Sequence, residues 1–464
     1  MMMLDLISYF LIPLFTALAI PFLGRKNTKI TEILSNVTML AGLINLSIIV
    51  FSPIYYGTSY STFTFDALSV FMLFTIYLVG LCVVFFSSVS DMGQHNKNAF
   101  YSLIMISVAS MSAMVIAKDF FTMYIFMETL AVTSFALIAC EEKANAVEAA
   151  LKYFLLTFPA SALIIIGISL LMIANNSIYF DMVFQNYNVL NVYAVLIIML
   201  GFLIKAGIVP FHFWTPDAYQ GSSAVISAHL AGIVTKISGI YAIIRISMLL
   251  RNNNIYNLKI SSFILLLGII TIIVGAIGAL KQKDLKRMLA FSSISQMGYI
   301  IAGLATFIPL GIIGAIFHLF NHATFKTVLF LNSASIEKNA NTTEMKNLGG
   351  LEHNMPWTSW TSIIALFSTA GVPPLSGFWS KIMIIIALWL SGFKISAVIA
   401  LIFSIITLAY FMIMQKKIFF GQKKEYFNFG EVSIPMLSPV ILMSLIIIFA
   451  GIFFPYVFDY LKII

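Results

Sequence analysis

Residues 202–214 read Phe202-Leu203-Ile204-Lys205-Ala206-Gly207-Ile208-Val209-Pro210-Phe211-His212-Phe213-Trp214. A lysine closes a long apolar run, and a glycine and a proline follow within five residues. Proline lacks the backbone donor that a helix interior needs and clashes with the preceding turn, so a helix reaching Lys205 must break at Pro210. The pattern returns at an offset of 164 residues as Ala370-Gly371-Val372-Pro373-Pro374, followed by Phe378-Trp379 and then Lys381. Lys118-Asp119-Phe120 and Lys283-Asp284-Leu285 repeat at an offset of 165. One broken apolar helix is an ordinary kink; two, matched in spacing and each beside a lysine, predict a duplicated unit.

The surrounding chain fits a membrane. Of its 464 residues 61% are hydrophobic and 9% charged, against roughly 25% charged in soluble domains. Apolar segments long enough to cross a hydrocarbon core recur from end to end. They predict an all-α integral membrane protein of about fourteen spans, near 3–22, 30–52, 66–88, 98–117, 119–139, 147–174, 189–209, 222–249, 260–281, 287–308, 309–335, 357–390, 394–414 and 434–459. The first span lacks a basic leader and a small-residue cleavage site, so it is expected to be retained. Spans 4–8 and 9–13 then form two five-helix units, residues 98–249 and 260–414, each with a broken helix. A three-helix segment, 1–97, precedes them, and a single span lies within 415–464. An odd-membered unit inserts upside down when repeated, which predicts inverted repeats with broken helices meeting near the midplane.

Loop charges set the orientation. With the N-terminus outside, one face collects Arg25, Lys26, Lys29, Lys97, Lys143, Lys281, Lys283, Lys286, Arg287, Lys338, Lys346, Lys416, Lys417, Lys423 and Lys424. The other collects only Lys118, Arg251, Lys259, Lys394 and Lys462. The positive-inside rule therefore predicts both termini on the non-cytoplasmic side of a prokaryotic inner membrane. The net charge of +8 is scattered over short loops and does not build a nucleic-acid surface.

Six basic residues remain inside predicted spans: Lys152, Lys205, Lys236, Arg245, Lys326 and Lys381. Each such charge costs ~2.5–3.5 kcal/mol at a helix centre on insertion scales, so these residues are expected to face the bundle interior and to serve a function. Glu128, mid-span in Tyr124-Ile125-Phe126-Met127-Glu128-Thr129, has no basic neighbour within a turn and is expected to be buried and paired with Lys205 from another helix. His229 and Lys236 lie seven residues apart, nearly on one helical face. Arg245 falls opposite them, near the span's outer end, where snorkelling explains it. His318, His322 and Lys326 recur at steps of four and form a polar stripe. A metal site for the histidine pair lacks a third ligand, so a proton relay is the preferred reading. Lys381 follows the second break, and Glu148 with Lys152 reads as an i, i+4 salt bridge near the interface. Cys82 and Cys140 are too few and too far apart for an iron–sulfur or zinc motif. No cofactor and no catalytic site within this chain are expected.

The Phe202–Trp214 stretch, the stripe His318…Asn321-His322-Ala323…Lys326 and Pro373-Pro374-Leu375-Ser376-Gly377-Phe378 together resemble the antiporter-like membrane subunits of respiratory complex I, group 4 membrane-bound hydrogenases and Mrp-type sodium/proton antiporters. The resemblance covers nearly the whole chain. It implies fourteen helices, inverted five-helix units, and roles by position: Glu128 as modulating carboxylate, Lys205 as pumping lysine, Lys236 as connecting lysine and Lys381 as terminal exchange residue. Lys381 argues against the middle antiporter-like subunit of complex I, and the lack of a long lateral helix after 459 argues against the largest. The segment from Glu431 to Pro455 looks most like the Mrp D-type and hydrogenase-type members, whereas Phe211-His212-Phe213-Trp214-Thr215-Pro216-Asp217 leans towards complex I or hydrogenase forms. The expected activity is proton translocation, or cation/proton antiport, within a larger energy-converting complex, because nothing in this chain supplies redox or nucleotide energy. Partners are then other membrane subunits, the lipid bilayer and protons, with sodium as an alternative cargo. A self-sufficient Na+/H+ antiporter is the rival.

Overall fold

The computed structural model describes residues 2–25, 27–50, 58–59, 62–90, 96–141, 143–183, 189–251, 254–422 and 430–463. Lys26, Lys423 and Lys424 of the loop-charge argument lie outside the described residues, as does the side chain of Lys259. The fold is a helical membrane bundle. Its helices are α1 (Met2–Leu23), α2 (Thr28–Val50), α3 (Ala67–Val89), α4 (Lys97–Ile116), α5 (Phe120–Ala139), α6 (Ala144–Asn175), α7 (Val189–Lys205) and α8 (Trp214–Gly221). There follow α9 (Ala224–Leu250), α10 (Asn254–Leu280), α11 (Leu285–Leu304), α12 (Pro309–Ala340), α13 (Pro356–Ala370), α14 (Ser376–Leu390), α15 (Lys394–Ile418), α16 (Ile434–Ile452) and α17 (Phe454–Leu461). Among the described residues ten helices are long and apolar enough to cross a membrane, and α7, α14 and residues 7–23 of α1 are shorter apolar helices.

Local chemistry sets the ends of these helices. Asp66, Asn96, Asp119 and Asp284 each precede a helix and accept a hydrogen bond from the amide three residues on, satisfying one of the free first-turn donors. Asp119 and Asp284 do so on twenty-residue helices, α5 and α11, and each also forms a bridge to a later strand-like residue, Tyr179 and Glu344. The next helices, α6 and α12, are both 32 residues long and both end on a left-handed asparagine, Asn176 and Asn341. Each is followed by a helix that stops at a positive-φ glycine, Gly207 (φ 69°) and Gly371 (φ 86°).

The two breaks are sealed differently. At the first, the Val209 amide donates to Thr271 Oγ1 of α10 at 3.1 Å, and the Trp214 indole donates to the Ile204 carbonyl at 3.3 Å. At the second, the Gly377 amide donates to Ser368 Oγ at 3.1 Å, and a Cβ on Gly377 would lie 1.8 Å from the Ser368 carbonyl. Only glycine permits that approach. Irregular backbone at membrane depth is tolerated where protein satisfies the freed groups, and both breaks meet that condition.

The centre of the bundle is made by α9 and α12, whose apolar windows are 89% and 94% buried, against 39% for α5 and 33% for α15. The middle of α9 is π-helical over Leu230–Val234 and again over Lys236–Tyr241. Such i→i+5 turns wind less per residue than a 3.6-residue helix, so face assignments made with ideal α geometry fail along this segment.

Candidate functional site

The buried polar residues form a row that starts on α5 and ends beyond the second break. Lys205 is the last residue of α7 and only 2% exposed; its Nζ lies 3.6 Å from Glu128 Oε1. The pairing expected from the sequence is therefore present. Glu128 itself is not buried as expected: its side chain is 32% exposed, because α5 is an outer helix and nothing among the described residues covers that face. Oε1 is nonetheless shielded.

The π-helical turn carrying Lys236 abuts the end of α7. A Cβ on Gly239 would stand 2.5 Å from the Ala206 amide nitrogen, so the residue following Lys205 packs directly on this turn. Lys236 is fully buried, and its Nζ has no hydrogen-bond partner among the described residues. His229 shares a 2.9 Å hydrogen bond through Nε2 with Ser107 Oγ of α4, and its Nδ1 is unpartnered among the described residues. The common face predicted for His229 and Lys236 is interrupted by the π turn at Leu230–Val234.

On α12, His322 is fully buried with neither ring nitrogen bonded to a described residue; Lys326 lies one turn further along the same helix, and α12 packs on the π turn Leu230–Val234 that precedes Lys236. Lys326 donates to the Leu289 carbonyl at 2.9 Å and to the Ser292 hydroxyl, both on α11, and lies 5.7 Å from the centre of the Phe411 ring. His318 shares hydrogen bonds with Gln296 Oε1 (3.2 Å) and Ser380 Oγ (2.9 Å), and Asn321 donates to the same hydroxyl at 3.1 Å. Ser380 immediately precedes Lys381. The Lys381 ammonium donates to the Ala370 carbonyl at the second break (3.4 Å) and to Ser404 Oγ (3.3 Å), and sits 4.5 Å from the centre of the Tyr299 ring. Among the described residues no group of three or more His, Cys, Asp or Glu side chains converges as a metal site.

Two further polar groups lie towards opposite ends of α9. At its start, a cavity of about 400 Å³ is lined by residues that include Glu141, Glu148, Lys152, Asp217, Lys286 and Glu337. Lys152, predicted within a span, is 45% exposed here and bridges Glu148 (2.8 Å) and Asp217 (3.1 Å), while Arg287 binds Asp217 at 2.7 Å. Lys286 donates to the Ser222 carbonyl at 3.1 Å, and Ser222 Oγ and Ser227 Oγ lie 3.0 Å apart. Sequence spacing shows the Glu148–Lys152 pair, expected as an i, i+4 bridge near the interface, but gives no sign of the rest of this network, because its other members come from separate loops and helix ends.

Towards the other end, Arg245 corrects the snorkelling expectation. It is buried, at 9% exposure, and grips Asp66 with both terminal nitrogens, one of them at 2.9 Å. The same nitrogen donates to Ser69 Oγ (2.8 Å), and Nε donates to the Tyr241 hydroxyl (2.8 Å). Tyr241 in turn bonds the Val115 carbonyl. Nothing in the sequence links Asp66 to an arginine 179 residues away.

Comparison with known proteins agrees with this architecture. The family model described as NADH:quinone oxidoreductase/Mrp antiporter, TM, matches residues 117–407. The chain is 32% identical to the Na(+)/H(+) antiporter D subunit of Alkalihalophilus pseudofirmus over 83% of its own length and 80% of that protein's. It is 29% identical to the NADH-quinone oxidoreductase N 2 subunit of Syntrophobacter fumaroxidans, over 81% and 80%. A chain in the structure of the Mrp complex from Dietzia sp. DQ12-45-1b superposes with a TM-score of 0.91 at 22% identity, covering 99% of this chain and 96% of that one.

Proposed function

The chain belongs to the NADH:quinone oxidoreductase/Mrp antiporter transmembrane family, and we propose that it is a proton-translocating membrane subunit of a larger ion-translocating complex. One observation carries this reading. The fully buried Lys236 ammonium and both His322 ring nitrogens lack partners among the described residues, midway along the row between the Glu128–Lys205 pair and the His318–Ser380–Lys381 group. Ionisable groups so placed in a membrane mark proton or ion pathways, and water is what satisfies them.

This geometry supports a working cycle. With Glu128 Oε1 3.6 Å away, Lys205 has a counter-ion; when the pair separates, the lysine loses it and hands its proton on. It moves to Lys236 and His322, then by way of Lys326, His318 and Ser380 to Lys381. The path runs sideways across the bundle.

Fourteen spans, ten of them in two inverted five-helix units, residues 98–249 and 260–414, organise this row. The matched caps, helix lengths and breaks of α5–α7 and α11–α13 support that division. Loop-charge asymmetry supports both termini on the non-cytoplasmic side of a prokaryotic cytoplasmic membrane. The partly exposed Glu128 on an outer helix supports a neighbouring membrane subunit, since a carboxylate facing lipid is disfavoured.

The test is to purify the assembled complex through a tag on this chain, reconstitute it and follow proton uptake with a pH-sensitive dye. Lys205→Met is expected to abolish coupled uptake in an assembled complex; wild-type uptake by that variant would overturn the reading. A second reading, autonomous sodium/proton exchange, draws on the similarity to a Na(+)/H(+) antiporter subunit. Sodium-dependent proton movement in liposomes containing the chain alone would select it.

A further inference from the structure

The His318 ring is fully buried between α11 and α14, with Gln296 Oε1 3.2 Å from Nε2 and Ser380 Oγ 2.9 Å from Nδ1. Which nitrogen carries the proton decides what a histidine can do, and the hydrogen-bond partners decide which nitrogen that is. An amide oxygen only accepts. Nε2, facing Gln296 Oε1, is therefore the protonated nitrogen, because a bare nitrogen there would set lone pair against lone pair. The nitrogen left to exchange protons is Nδ1, which faces the helix that follows the second break.

The surroundings of Ser380 are equally definite. Asn321 presents its amide nitrogen to the Ser376 carbonyl at 3.0 Å, where an amide oxygen would be repelled, and the same nitrogen donates to Ser380 Oγ at 3.1 Å. The Ser380 hydroxyl hydrogen then has two destinations: His318 Nδ1, or the Gly377 carbonyl 3.1 Å away. With His318 neutral, the hydroxyl donates to Nδ1. With His318 protonated, Nδ1 donates to Oγ and the hydroxyl turns to the Gly377 carbonyl. Both states leave the two ring nitrogens and the hydroxyl fully bonded, so the ring gains or loses a proton without orphaning a buried polar group.

We propose that Gln296 is a positioning residue that keeps His318 in its Nε2–H tautomer, so that His318 stores a proton at Nδ1 alone and exchanges it through the Ser380 hydroxyl. The proposal rests on the proton-translocation reading and deepens it at one residue. In loading, the hydroxyl hydrogen passes to Nδ1 while an incoming proton takes its place on Oγ; unloading reverses both transfers, so charge and atoms balance. Gln296 Oε1 has no hydrogen to give, and the ring is a store with one opening rather than a wire with two. That opening lies beside the end of the row. Lys381 follows Ser380, and its Nζ sits 4.5 Å from the centre of the Tyr299 ring, itself 6.0 Å from the centre of the His318 ring.

The experiment uses the purified, assembled complex with histidine carrying heavy nitrogen at Nε2 alone. Solid-state NMR separates protonated from bare ring nitrogens, and the His318 signal is the one lost in His318→Gln. Wild type is expected to show a protonated Nε2. Gln296→Met keeps the size and removes the acceptor. It should add a bare-Nε2 signal and slow coupled proton uptake at least about tenfold, since a wrong tautomer disables a histidine that works from one nitrogen. Ser380→Ala should slow uptake comparably while Nε2 stays protonated, a split that loss of packing would not produce. A bare Nε2 in wild type, an unchanged Nε2 signal in Gln296→Met, or wild-type uptake by either variant would each overturn the proposal. Normal coupled uptake by Lys205→Met would instead remove the translocation reading, and the Nε2 signal is read independently of it.

Discussion

At the first break Lys205 faces a carboxylate oxygen 3.6 Å away; at the second, Lys381 faces the Ala370 carbonyl, the Ser404 hydroxyl and the ring of Tyr299. Both lysines are 2% exposed. The difference lies in what stabilises the charge. A carboxylate on a separate helix supplies a full countercharge that moves with that helix, so a small change in helix spacing alters proton affinity strongly. Carbonyl, hydroxyl and π-face dipoles supply a weaker field fixed by neighbouring backbone. Under the proposed proton row, the first lysine is the one its surroundings can switch, and the second the one that receives what is passed to it.

The largest expected effect comes from removing the switched lysine. Lys205→Met should lower coupled proton transport by about 100-fold or more, the scale on which a positioned proton-transfer group contributes, with assembly on native gels unchanged. Next comes the countercharge. Glu128→Gln keeps the shape and removes the charge, and should slow transport by about tenfold, with a double-mutant coupling energy to Lys205 of ~1–3 kcal/mol. Additive effects of the two substitutions would erase the contrast between the breaks.

A smaller effect tests the backbone. Thr271→Val removes the acceptor of the Val209 amide and should cost about 1–2 kcal/mol of stability, read as a lowered unfolding midpoint in detergent. The smallest effect belongs to the second lysine's dipoles. Ser404→Ala removes one of two hydrogen bonds to Lys381 and should slow transport roughly threefold, since the Ala370 carbonyl remains. A loss as large as that of Glu128→Gln would mean that neutral dipoles and a countercharge do equivalent work.

Much of this contrast is legible in the sequence, for identifiable reasons. Proline and glycine act locally, so both breaks can be read from residues 206–210 and 370–374 alone. Charges in apolar runs are disfavoured enough that Glu128, Lys205, Lys236, Lys326 and Lys381 stand out unaided. What stays hidden depends on neighbours or on irregular helix geometry. Sequence predicts a buried Glu128, but burial on α5 depends on whether another chain covers it. It predicts a snorkelling Arg245 because that residue lies near the span's outer end, whereas the structure buries it against Asp66, a partner no spacing reveals. Its partner Asp66 precedes a helix outside both proposed units, where no repeat and no periodicity points to it. Lys152 falls inside a predicted span, and its i, i+4 spacing from Glu148 gives the salt bridge near the interface that the structure contains; its second partner, Asp217, is what spacing cannot reveal.

The amide of Val209 reaches away from its own broken helix to Thr271 on α10, whereas Gly377 folds back on Ser368 across its own break. Mechanically, the second break is a rivet and the first is a coupling rod. Displacing the end of α7 pulls on α10 through the hydrogen bond from the Val209 amide to the Thr271 side chain, so under the proposed relay movement at Lys205 is felt in the second half of the bundle before any proton travels there.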